Sequence, residues 1–249
     1  MKGDRTGLWY TTIKGTKKTL VFLHGAGSNH SIWKPYLSAF KGHRIMLIDL
    51  PGHGKSQSTP YVSIAHAAHE VSKVLQKAGV RNAALIGHSF GGLVGLEASL
   101  HVSANRLNGL IVTSPVAKHL SRPPLVLKGI SRVLNLLHGK TGEVLPFQDY
   151  SVIEDKPPFL FPLVDFRGTT PSIISMTLHD AIEYEPAWKA VSIPTLILLG
   201  NQDVFIRKKE LEIAVENNKN IAIQTLQSHH LLISHARNDV IKAVKGFII

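Results

Sequence analysis

The chain has no cysteine at any of its 249 positions. That excludes disulfides, zinc–thiolate sites and a cysteine nucleophile, and it is compatible with a reducing compartment. Long apolar runs are also missing. No stretch approaches the roughly 20 residues that span a bilayer. The opening "MKGDRTGLWYTTIK" lacks the apolar core of a secretory signal, so a cytoplasmic address is expected. Concentrated charge is scarce as well. Lys and Arg outnumber Asp and Glu by 28 to 17, but the densest basic runs are only Lys17-Lys18 and Arg207-Lys208-Lys209, without interleaved aromatics. No helix-turn-helix, zinc-finger or single-strand-binding signature is visible, so nucleic acid is not an expected partner. The net charge of +11 implies at most weak contact with anionic surfaces.

What is present is alternation. Short apolar runs bounded by turn residues occur at Thr19–Leu23, Arg44–Leu50, Ala83–Ile86, Leu110–Thr113, Thr195–Leu199 and Ile221–Leu226. Such near-continuous apolar content marks strands buried on both faces. Helix candidates lie between them at Ser31–Phe40, Ser63–Ala78, Ser89–His101, Arg207–Asn217 and Asn238–Ile249. The second carries Ile64, Ala67, Ala68, Val71, Val74, Leu75 and Ala78 on one face, with Ser63 placed to cap it. The pattern predicts an α/β fold with a doubly wound, mostly parallel sheet. Leu8–Ile13 is expected to form an antiparallel edge hairpin.

The alternation breaks at residues 116–186, a proline-rich stretch with helix candidates at Leu125–Leu137 and Pro171–Ile182 but no clear strand. This is too long for an ordinary loop. It predicts a helical cap inserted into a core made of residues 1–115 and 187–249.

Five stretches carry chemistry, each just after a strand pattern. Gly87-His88-Ser89-Phe90-Gly91 lies between "AALI" and a helical pattern, the strand–turn–helix setting of a nucleophile elbow. A serine there exposes its Oγ above a helix N-terminus that favours developing negative charge. His24-Gly25-Ala26-Gly27 can aim the Ala26 N–H at an oxyanion beside the Phe90 N–H; His24 itself is read as holding the loop. Asp49-Leu50-Pro51-Gly52-His53-Gly54-Lys55-Ser56 matches neither phosphate-loop nor dinucleotide spacing and is read as an ordered turn. Asp203, after "TLILLG", sits on the sheet edge where it can orient an imidazole. "SHHLLISH" at 228–235 supplies candidate bases after the last strand.

These stretches, in this order, resemble the α/β-hydrolase fold superfamily, in particular serine esterase- or lipase-like members with a helical cap. The resemblance rests on "HGAG", "DLPGHGKS", "GHSFGG", "GNQD" and the terminal histidine cluster. It implies Ser89 as nucleophile, Asp203 as acid, Ala26 and Phe90 as oxyanion donors, and neither metal nor organic cofactor. The last motif departs from the family's pattern. Ser228 stands where glycine is usual, and the acidic residue and proline expected five and seven positions after the histidine are missing for either neighbour. The preceding residue and the small Ala236 favour His229 as base. The spacing to Val240 and Phe247 fits His230, the alternative; His235 lies too far along.

The expected activity is hydrolysis of small-molecule carboxylic esters. The apolar stretches "PPLVLKGISRVLNLL" and "PPFLFPLVDF", with Phe147, Phe159, Phe161 and Phe166, suggest lipophilic acyl or aryl groups of short to medium length, monoacylglycerols among them. Alternatives using the same residues are a carbon–carbon hydrolase or lyase acting on a diketone or carboxylate, a perhydrolase, and a non-catalytic ligand receptor. A serine nucleophile argues against the dehalogenases and epoxide hydrolases of the superfamily, whose alkyl-enzyme ester requires Asp.

Overall fold

The computed structural model describes residues 7–120 and 169–248. Among them a seven-stranded sheet forms in the order β1-β3-β2-β4-β5-β6-β7. The strands are β1 (Tyr10–Ile13), β2 (Lys17–Leu23), β3 (His43–Ile48), β4 (Ala83–His88), β5 (Leu107–Thr113), β6 (Thr195–Gly200) and β7 (Ile221–Leu226). From β3 to β7 every neighbouring pair is parallel.

Alternate side chains on the inner strands feed two separate cores, as a period of two requires. Val21, Leu23, Met46, Ile48, Leu85 and Val112 point to one face. There they meet α1 (Ile64–Lys77) and α2 (Phe90–His101). Leu20, Phe22, Ile45, Leu47, Ile86 and Ile111 point to the other. That face is covered by the 3-10 helix His30–Phe40 and by α6 (Arg237–Phe247). Ser63 caps α1 as expected, its Oγ accepting the His66 N–H at 3.1 Å.

Two expectations need correction. Leu8–Ile13 does form an antiparallel edge strand, but not a hairpin with β2: Tyr10–Ile13 pairs with β3. Both edges of β2 are already occupied by β3 and β4, so the incoming chain must take the outer edge of β3. The helix over Ser31–Phe40 begins at His30 and is wound as a 3-10 helix around Pro35, with the Asn29 side chain accepting the Ser31 N–H at 2.9 Å.

Residues 121–168, including the helix candidate at Leu125–Leu137 and the phenylalanines noted above, lie outside the described residues. The second candidate forms α3 (Pro171–Glu183), with Thr170 as its cap. Helix α3 is tied to the sheet's first helical layer. Asp180 accepts the Tyr61 hydroxyl at 2.5 Å and the Ile64 N–H at 3.0 Å, and Tyr184 hydrogen-bonds Glu97. Two short α-helices, α4 (Lys208–Val215) and α5 (Leu232–His235), and the 3-10 turns Gly54–Ser56 and Trp188–Ala190 complete the described elements. Among the described residues no helix is long and apolar enough to cross a membrane.

Candidate active site

The strand order runs outward in both directions from β2, first to β3 and then, after reversal, to β4 and beyond. Loops leaving β2 and β4 diverge at such a point and open a crevice at the carboxyl edge of the sheet. His24–Gly27 follows β2, and Ser89 follows β4.

Ser89 is held at φ 49° and ψ −118°, a left-handed region that L-residues seldom occupy. Its N–H donates to Thr113 O at 2.7 Å, and its carbonyl accepts the Gly92 and Leu93 amides, so the turn is fixed from both sides. The flanking glycines are required sterically. A Cβ on Gly87 would lie 2.4 Å from Gly91 O, and one on Gly91 would lie 2.2 Å from His24 O. The second approach also seats the His24–Gly27 turn against the elbow; a Cβ on Gly25 would lie 3.7 Å from Ser89 Cβ.

Asp203 and the histidine arrive from the turns after the neighbouring strands β6 and β7. Gly200 lets the two turns touch, since a Cβ there would lie 2.4 Å from Ser228 O and 2.6 Å from His229 O. The imidazole that reaches Asp203 belongs to His230. Its Nδ1–H donates to Asp203 Oδ2 at 2.9 Å, and its Nε2 accepts the Ser89 hydroxyl at 3.3 Å. The favoured base, His229, is turned away. Its ring packs edge-on against His235 with centroids 4.1 Å apart. His229 and His230 lie in the irregular link between β7 and α5, where the Ser228 and His229 carbonyls pack closely against Gly200.

The electrostatics suit an Asp–His–Ser relay. Burial alone would push the Asp203 carboxyl up, but the hydrogen bond and charge of His230 and the Phe205 N–H at 2.9 Å together hold it below the ordinary carboxylate range. An ionised Asp203 fixes the His230 proton on Nδ1, which leaves the Nε2 lone pair toward Ser89. Phe205 meets the His230 ring edge-on at 5.1 Å, and His88 lies 5.8 Å from it on another side.

Phe90 opens α2 directly after Ser89, and Ala26 sits in the glycine turn. Among the described residues neither amide N–H is engaged by an acceptor. Around them the turns after β2 and β3 form a buried polar layer. His24 donates from Nδ1 to Gly25 O at 2.8 Å and accepts the Leu50 N–H on Nε2 at 3.0 Å, holding the loop as expected. Asp49 accepts the His30 N–H at 2.6 Å, the His30 Nδ1–H at 2.9 Å and the Lys55 N–H at 2.9 Å. Burial opposes the Asp49 charge, yet these partners and the nearby His24 keep its carboxyl below the usual range. The imidazoles of His24, His53 and His88 are pushed down by burial to about 4, 3 and 3, so all three stay neutral at ordinary pH.

Residues 20–243 match the family model described as the alpha/beta hydrolase family. The chain belongs to the α/β-hydrolase family. It is similar to the pimeloyl-[acyl-carrier protein] methyl ester esterase of Serratia marcescens, at 26% identity over 98% of both chains. It is also similar to the enzyme of that name from Yersinia pseudotuberculosis, at 28% identity over 96% of both. Among solved structures it resembles a hydrolase from Pseudomonas aeruginosa, with TM-score 0.75, 21% identity, and 97% and 94% of the two chains covered. Family membership bears out the expected fold, and both named relatives are ester hydrolases, the enzyme class expected of this chain.

Proposed function

We propose that this α/β-hydrolase cleaves carboxylic esters through an acyl-enzyme on Ser89, with His230 as general base and Asp203 as its orienting acid. The observation that carries this reading is the continuous relay from Asp203 Oδ2 through His230 to Ser89 Oγ, at 2.9 and 3.3 Å. His230 Nε2 takes the Ser89 proton as Oγ attacks the ester carbonyl. The Ala26 and Phe90 amides receive the oxyanion, each worth about 3–4 kcal/mol in the transition state. His230 then protonates the leaving alcohol, and water enters by the same route to release the acid.

The substrates proposed are small esters with short- to medium-chain acyl groups. Methyl esters of acyl chains come first among them, on the strength of the relatives' names. Residues 116–186 are proposed as the cap that walls the acyl pocket.

The test is a p-nitrophenyl ester series of increasing acyl length together with monomethyl and dimethyl esters of dicarboxylic acids, each run beside Ser89→Ala. Wild-type turnover that vanishes in Ser89→Ala is expected. Failure of the wild type to hydrolyse any member would overturn the proposal, as would unimpaired hydrolysis by Ser89→Ala.

A further inference from the structure

Two imidazoles cross the gap between the turn after β2 and the turn after β3, in opposite directions. His24, in the first turn, accepts the Leu50 N–H of the second at 3.0 Å. His53, in the second turn, accepts the Gly27 N–H of the first at 3.1 Å. Each ring uses its other nitrogen to donate to a carbonyl of its own turn, His24 to Gly25 O and His53 to Pro51 O, both at 2.8 Å. Those donations fix both tautomers with the Nε2 lone pair free to accept. The rings lie 5.1 Å apart and are completely buried.

The two crossings are not equivalent. His24 secures the second turn, whereas His53 secures the peptide unit that immediately follows Ala26. Fixing the Gly27 N–H fixes the plane of the Ala26–Gly27 peptide and restrains the direction of the Ala26 amide before it. The same His53 ring stacks on the Phe90 ring, with centroids 6.1 Å apart and planes 25° apart, and Tyr61 closes on Phe90 edge-on at 5.6 Å. Phe90 bears the second oxyanion amide. One buried side chain thus holds the peptide next to one oxyanion amide and the ring of the residue that bears the other.

We propose that His53 is a positioning residue for the oxyanion hole, acting through the Gly27 amide on one side and the Phe90 ring on the other. The assignment rests on the ester-hydrolase reading above. It requires an acceptor at the Nε2 position, which burial preserves by keeping the ring neutral. A donor amide misdirected by a fraction of an ångström loses much of its effect on the transition state while leaving ground-state binding intact. A side chain that merely fills space would show no such preference for an acceptor.

The experiment compares His53→Phe, which keeps a ring against Phe90 but removes the acceptor, with His53→Gln, whose Oε1 falls near the lost Nε2. Steady-state constants are measured on the best p-nitrophenyl ester, with inhibition by a trifluoromethyl ketone whose adduct on Ser89 carries the oxyanion. In His53→Phe, kcat should fall at least about tenfold with KM within about twofold, and the ketone should bind weaker by a similar factor. His53→Gln should recover most of both. If His53→Phe does not fold, His53→Asn replaces it: it can still reach Pro51 O but falls short of the Gly27 N–H, and the same losses are expected. Undiminished kcat in the Phe or Asn variant, or a Gln variant as slow as either, would overturn the assignment. Ser89→Ala on the same ester keeps the two ideas apart. If it is inactive while His53→Phe is fully active, only the role of His53 falls; if it is as active as wild type, the hydrolase reading falls.

Discussion

Truncating His230 to alanine removes the only imidazole within reach of both Asp203 and Ser89 among the described residues. Its kcat on the best ester should drop by roughly 10³-fold or more, in line with triad knockouts. His229→Ala deletes a ring that packs on His235, and it should keep kcat within about tenfold. Steady-state assays of the two variants side by side decide the matter; a dead His229→Ala with a working His230→Ala would reverse the assignment. Asp203→Asn should cost about 10³–10⁴ in kcat with KM little changed, because the amide no longer enforces the Nδ1–H tautomer. The placement of Ser89 and Asp203 on one sheet edge was legible because Ser89 follows β4 directly and Asp203 lies in the turn after β6, and strand ends are sharply marked by apolar runs. Which imidazole reaches Asp203 was not, because Ser228–Leu231 belongs to no regular element and therefore has no period that assigns a direction to each side chain. The usable signal was the spacing to Val240, which is completely buried in α6 and favoured His230. The crossing contact of His53 was illegible for another reason. Its neighbours read as turn residues, and nothing local announces that its ring accepts an amide 26 residues away.

At the level of elements, the site depends on how closely the β4–α2 elbow and the turn after β2 approach. Gly91→Ala would set a methyl 2.2 Å from His24 O, a backbone atom that cannot swing aside. Overpacking of this kind costs about 1–3 kcal/mol. At about 2–4 °C per kcal/mol for a chain of this size, thermal unfolding should start several degrees lower. Activity should fall further than stability, since the displaced turn carries Ala26. A melting curve and kcat indistinguishable from wild type would contradict this packing. Element type was read correctly for every inner strand, because burial on both faces leaves a strong apolar signature. The partner of β1 was not, because pairing depends on which sheet edges remain free once β2, β3 and β4 have assembled. The 3-10 winding of the early helix is not marked by its apolar pattern; its one signal in the sequence is Pro35, which supplies no N–H to an α-helical ladder.

For the whole molecule, three completely buried neutral histidines couple stability to pH. His24, His53 and His88 gain protons in the native state only near pH 4, 3 and 3, whereas the unfolded chain takes them up near 6.5. Below pH 6.5 the unfolded chain therefore holds more protons, and stability declines as pH falls by up to about 1.4 kcal/mol per unit for each group. Asp49 and Asp203, held low in the fold, add losses of the same sign below their ordinary value of 3.8. Calorimetry from pH 7.5 to 4.5 should show the melting temperature dropping steadily; a flat or rising profile would mean these rings are not buried and neutral as described. The relay itself has a consequence for how the chain acquires activity. Ser89 and His230 are separated by 141 positions, and Asp203 joins them from a third turn. The elbow is assembled from β4, β5 and α2, which are close in sequence, but the proton acceptor arrives only when β7 has docked beside β6 on the far side of the sheet. Contacts of such long range carry a larger loop-closure cost than those within the elbow. If the proposed relay acts, ester hydrolysis is expected to lag the helical signal when the denatured chain is refolded, and stopped-flow activity and far-UV signals recovering together would contradict this.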